Sequence, residues 1–195
     1  IVKNAKKYGY CKKASFIEIV RSILELNPSL KEARLIGSCE IIDKNRGIRK
    51  LIDVKTAKND PSRVLGNINW NNLGITHLPE NIGDLTIDGE LDLGNNKLVS
   101  LPDNFSYINV GGDVVLNKNN LVSLPDNFGN LKTGGVLNLS YNNLHSLPKS
   151  FGNININGNI YLLGNKINTN TITINDINTK LKGKIIGLDT LYQRK

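Results

Sequence analysis

Apolar positions between Leu78 and Thr169 recur with a fixed offset of 23 residues. Four successive segments begin at Leu78, Leu101, Leu124 and Leu147. Each opens on Leu-Pro and continues through an Ile or Phe (Ile82, Phe105, Phe128, Phe151) to a Gly (Gly89, Gly112, Gly135, Gly158). Around that Gly the pattern alternates. Ile87, Gly89, Leu91 and Leu93 face one way, and Asp88, Glu90, Asp92 and Gly94 the other, which is the period of two that a strand requires. The alternation predicts one strand per segment, with one face in the core and the other in water or against a partner. An Asn follows each strand (Asn96, Asn119, Asn142, Asn165) where the chain must turn, and its amide can bond backbone groups of neighbouring segments. Leu98, Leu121, Leu144 and Ile167 then return to the core. Pro79, Pro102, Pro125 and Pro148 are expected to hold the return arc extended and away from helix.

The run L-x-L-x-x-N-x-L in these segments closely resembles the leucine-rich-repeat family, whose period is about 20 to 29 residues. The resemblance implies an α/β repeat solenoid: a right-handed superhelix with a concave parallel β-sheet. Here an N-terminal helical cap is expected to cover its first edge. The signature departs from the family pattern at its eleventh position. That site holds Asp88, Gly111, Gly134 or Asn157 in place of Leu, which is read as a strand that begins earlier, with Gly allowing close approach of neighbouring backbones.

The signature extends beyond the four clear copies. It recurs one period upstream as Val64, Gly66, Ile68 and Trp70, and 25 residues downstream as Leu181, Gly183, Ile185 and Gly187. A weaker version at Leu35, Gly37, Cys39 and Ile41 marks a candidate degenerate repeat. Ser15 and Glu18 form a capping-box pattern ahead of an apolar stripe, Phe16, Ile19, Val20, Ile23 and Leu24, which predicts a helix over 16–26 ended at Asn27-Pro28. A short helix is also expected within 47–56, a loosened return arc over 168–180, and closure of the core by 188–195. The organisation read from the chain is therefore a basic cap over 1–63, repeats over 64–180, and a terminal strand and cap over 181–195.

Charge sharpens this division. The net charge of +8 lies wholly in the first 64 residues, where 15 Lys and Arg face 7 acidic residues. From Leu78 to Ser146 there are 3 Lys against 8 acidic residues, so the middle is negative. Lys6-Lys7, Lys12-Lys13 and Arg46, Arg49, Lys50, with Tyr8 and Tyr10 between them, raise nucleic-acid binding, but acids are mixed among them and no nucleic-acid motif appears. No apolar run reaches the roughly 18 residues of a membrane span, and no partner membrane is expected. Two cysteines, Cys11 and Cys39, cannot make a disulfide framework, which favours a cytoplasmic chain, including the cytoplasm of a host cell. The chain opens on Ile1 rather than Met, so an upstream segment is expected.

Six strands with about four outward residues each would offer about 24 side chains, the size of one side of a standard protein interface. The residues placed there for partner binding are Asp88, Glu90, Asp92, Asp113, Val115, Asn117, Val136, Asn138, Asn159, Tyr161 and Leu163, with Asn67, Asn69, Asn71, Ser140, Lys182, Lys184 and Ile186 beside them. Glu90 and Asp113 fall at equivalent sites, so like charges sit close together where a cationic partner would relieve them. Val115, Val136, Tyr161 and Leu163 offer apolar anchors. No catalytic set, cofactor or metal site is expected. His77 and His145 lie three repeats apart, no nucleophile motif appears, and the nine-residue Gly-Asp pattern of calcium-binding β-rolls is missing.

The resemblance implies a non-catalytic protein-interaction module that takes a protein partner on the concave face. Self-association of basic cap with acidic centre is a second reading. The Asn-rich, Lys-rich composition looks like that of repeat proteins from AT-rich genomes, which adds a host-directed effector or adaptor, such as a substrate-recognition arm of a ubiquitin ligase. Nucleic-acid binding by the cap is the weakest reading.

Overall fold

The computed structural model describes residues 14–30, 55–57, 59–168 and 182–188. The candidate repeat at 35–41, the basic clusters, both cysteines, Leu181, most of the 168–180 arc and the closure beyond Leu188 lie outside the described residues.

Among the described residues one α-helix, α1 (Phe16–Leu26), precedes twelve short strands. They are β1 (Lys55–Ala57), β2 (Asp60–Leu65), β3 (Ile68–Asn69), β4 (Thr86–Ile87), β5 (Leu91–Asp92), β6 (Asn109–Val110), β7 (Val114–Val115), β8 (Lys132–Thr133), β9 (Leu137–Asn138), β10 (Asn155–Ile156), β11 (Ile160–Tyr161) and β12 (Ile185–Ile186). They form two six-stranded sheets. Sheet A runs β1-β2-β4-β6-β8-β10, and sheet B runs β3-β5-β7-β9-β11-β12. All pairings are parallel except β1 with β2, whose antiparallel hairpin contains an irregularity between Thr56 and Ala57. Lys55 and Thr56, expected in a helix, are therefore in a strand.

The single strand per repeat expected from the alternation is two strands in two sheets. The break falls on the Gly column. Gly112 donates its N–H to the carbonyl of Gly89 at 2.9 Å, and its own carbonyl accepts from Gly135 at 3.0 Å. Its two backbone groups thus point to opposite neighbours, whereas both groups of a regular strand residue point to the same side. A Cβ on Gly112 would lie 3.0 Å from the carbonyl carbon and oxygen of Gly89, so the bend needs a residue without one. Period-two burial survives across the bend, which is why the pattern reads as continuous: Ile87, Leu91 and Leu93 are all buried.

The return arcs are also tighter than expected. The proline is extended, with φ −78° and ψ 155° at Pro79, but a 3₁₀ turn starts immediately after it. Pro79, Pro102, Pro125 and Pro148 each accept the N–H three residues on, at 2.9–3.0 Å, from Ile82, Phe105, Phe128 and Phe151. Proline supplies the fixed φ that enters the turn, and it has no N–H to leave unpaired there. Those turns push the fourth apolar residue inward. Phe105, Phe128 and Phe151 stack with centroids 6.4 and 6.1 Å apart and nearly parallel rings.

Helix α1 covers the first repeat. Its capping box is formed, with the Ser15 N–H donating to Glu18 at 2.7 Å and the Glu18 N–H donating to the Ser15 hydroxyl at 3.3 Å. Phe16, Ile19, Val20 and Ile23 are buried, and Phe16 stacks on Trp70 at 6.3 Å. Asn27 does more than end the helix. It is buried, donates to the carbonyls of Ile23 and His77, and accepts from the N–H groups of Thr76 and His77, tying the helix end to the first repeat.

Candidate functional site

The parallel register of sheet B collects residues far apart in sequence into columns. Asn69, Asp92, Val115, Asn138, Tyr161 and Ile186 are direct neighbours across the strands. One pleat earlier stand Asn67, Glu90, Asp113, Val136, Asn159 and Lys184, and one pleat later Asn117 and Leu163. Each row is about 4.8 Å from the next, so the face is a strip about 25 Å long, polar at one end, acidic in the middle and partly apolar beyond. Val115, Val136, Tyr161 and Leu163 are half-buried on it.

The predicted acidic group is not brought together whole. Asp88 follows β4 in sheet A, and its carboxylate takes Nε of Arg63 at 2.9 Å and a terminal guanidinium nitrogen at 3.2 Å. Asp92 accepts from Asn71 Nδ2 at 3.1 Å and from the Gly94 N–H at 2.8 Å. Asp113 Oδ1 takes the Val136 N–H at 2.7 Å. Asn67 and Asn159 do the same for the N–H groups of Glu90 and Lys184, each at 2.9 Å. Asx side chains on alternate repeats therefore clamp the backbone of the next repeat, and one oxygen of Asp113 is committed to the fold. Asn138 Oδ1 accepts the Ser140 N–H at 3.1 Å.

Glu90 carries the clearest electrostatic signature. Burial first, and then the like charges of Asp92 and Asp113, raise its carboxyl pKa above the ordinary value. Its proton is therefore held more tightly in the folded chain than in the unfolded one. The stability this contributes is present at acid pH and is lost as pH rises through the folded-state value. Glu90→Gln is expected to raise the unfolding midpoint slightly at neutral pH, and the gain should vanish below the ordinary carboxylate range. The size is that of a surface change, about 0.5 kcal/mol or less, since solvent screens so open a side chain. Thermal unfolding at neutral and acid pH measures it, and a variant less stable at neutral pH would contradict it.

The Asn column after sheet B is bonded on both sides of its amide. Asn96 Oδ1 accepts from Leu73 and Ile75, and its Nδ2 donates to Trp70 and Leu93. Asn119, Asn142 and Asn165 repeat the arrangement, with Oδ1 accepting from Leu98, Leu121 and Leu144. These side chains are committed to backbone; Asn96, Asn119 and Asn142 are buried and Asn165 is half-buried.

Among the described residues no group of three or more His, Cys, Asp or Glu side chains is placed to hold a metal ion. None of their helices is long and apolar enough to cross a membrane. The chain matches no protein-family model and no curated protein.

Proposed function

We propose that the chain is a leucine-rich-repeat solenoid that acts as a non-catalytic protein-interaction module, taking a partner on the outward face of sheet B. The observation that carries this reading is the in-register strip Asp92, Val115, Asn138, Tyr161 and Ile186, flanked by Glu90 and Asp113. It joins a charged segment to an aromatic anchor on one rigid sheet, the arrangement in which a few side chains dominate binding. Glu90 supports it further, because a carboxylate whose ionisation is disfavoured gains when a cationic partner approaches. The Leu-Pro and Asn positions repeating every 23 residues support the family reading, and the two cysteines support a reducing compartment.

Affinity capture from the native host with wild type and with the double variant Glu90→Lys/Tyr161→Ala tests this. Proteins retained by wild type should be lost from the variant, which should still fold because neither side chain is fully buried. Equal capture by both would sink the proposal. Self-association of the basic first third with the acidic strip is the second reading, supported by the charge division, and light scattering at low and high salt separates it from the first.

A further inference from the structure

Sheet A carries a groove of about 770 Å³ whose rim and walls include Tyr107, Asn109, Asn130, Lys132, Asn153 and Asn155. It has the volume of a small-ligand site. Asn109, Lys132 and Asn155 are direct neighbours across β6, β8 and β10, so they stand in a row at about 4.8 Å spacing. Asn130 and Asn153 sit one repeat apart at the ends of their 3₁₀ turns. All six side chains are exposed, Tyr107 to 59%.

What distinguishes these asparagines is that their amides are bare. On sheet B, Asn67, Asn69, Asn71, Asn138 and Asn159 each hydrogen-bond within the fold, with Asn117 the exception among the described residues. In the groove, the side-chain amides of Asn109, Asn130, Asn153 and Asn155 make none among the described residues. Four solvent-facing carboxamides, each with two donors and one acceptor, therefore line one hollow with no partner among the described residues.

We propose that this groove binds a neutral oligosaccharide. Adjacent sugar hydroxyls both donate and accept, as a carboxamide does, and the row spacing is close to one sugar ring. Tyr107 offers an open aromatic face for the apolar side of a pyranose. A polyanion fits less well, since among the described residues only Lys132 lines the groove and Lys182 the adjoining hollow, while phosphate backbones are held by many cations. An extended peptide fits less well too, because it would need apolar subsites for alternate side chains, and Tyr107 alone provides one.

The test is titration of the ¹⁵N-labelled full chain with cellohexaose, mannohexaose and chitohexaose at millimolar concentration, following side-chain amide signals. One of the three should shift the Asn130 and Asn153 Nδ2 signals saturably. Asn130→Ala/Asn153→Ala should abolish the response, and Tyr107→Ala should weaken binding about tenfold, the effect of losing one stacked ring. All three residues are exposed, so the variants should keep the wild-type circular dichroism. No shift with any of the sugars would overturn the proposal. So would a shift seen only with oligothymidylate or oligoglycine, which would assign the groove to a polyanion or a peptide. Glu90→Lys/Tyr161→Ala should leave sugar binding intact, so this site and the sheet B surface fail separately.

Discussion

Replacing Asn142 with alanine should destabilise the chain by about 3–5 kcal/mol. The side chain is 4% exposed, accepts the Leu121 N–H at 3.1 Å, and donates to the carbonyls of Leu116 and Leu139 at 3.0 Å each. Alanine leaves the Leu121 N–H buried without its partner, at about 1–3 kcal/mol, and removes two further bonds worth about 1 kcal/mol each. The carbonyls are not abandoned, because each is shared. Leu116 also accepts from Asn119, and Leu139 also accepts from Asn165. That sharing gives a sharper expectation than the single variant does. Asn142→Ala with Asn165→Ala strips Leu139 of both amides, so the pair should lose about 1 kcal/mol more than the sum of the singles. Asn96 and Asn142 share no carbonyl, and their losses should add. Urea unfolding of the three singles and two doubles measures this, and additivity in the Asn142/Asn165 pair would contradict an interlocked column.

Phe128→Ala should be at least as costly, at about 3–5 kcal/mol. The ring is fully buried between Phe105 and Phe151, so alanine opens a cavity and removes two ring contacts together. Phe105→Ala and Phe151→Ala each remove one such contact and should cost less by about 0.5–1.5 kcal/mol. Comparison of the three by urea unfolding checks the order. Equal losses would mean that the cavity term alone matters.

Much of this architecture was legible in the chain because burial repeats with the sequence. Leu98, Phe105 and Leu121 declare themselves by position, and a 23-residue offset needs no structure to be seen. The division of each strand into two was not legible. The alternation through Ile87, Gly89 and Leu91 satisfies a continuous strand equally well, and only the opposed backbone groups of the Gly column separate the sheets. Asn27 was hidden for a related reason: next to Pro28 it reads as a helix stop, and its partners Thr76 and His77 are about fifty residues away. The asparagines are the plainest case. Asn142 and Asn153 are the same residue to any reading of composition, yet one amide is saturated with backbone and the other faces an open groove. Type and spacing tell where a side chain stands, but its partners come from other repeats.

The uniform register also bears on how such a chain can change its length. Each repeat meets the next over the same two residues in each sheet, as Ile87 meets Val110 and Val110 meets Thr133. A duplication or loss of one whole unit, for example 101–123, rejoins Ser100 to a Leu-Pro in the same phase. Such an event resembles an in-frame splice, read at the level of backbone pairing. An indel of one residue falling within a strand would turn that strand's outward side chains into the core. For a gene carrying this array, copy number is thus a soft variable and phase a hard one, with the outward strip of sheet B lengthening or shortening by one row at each permitted event.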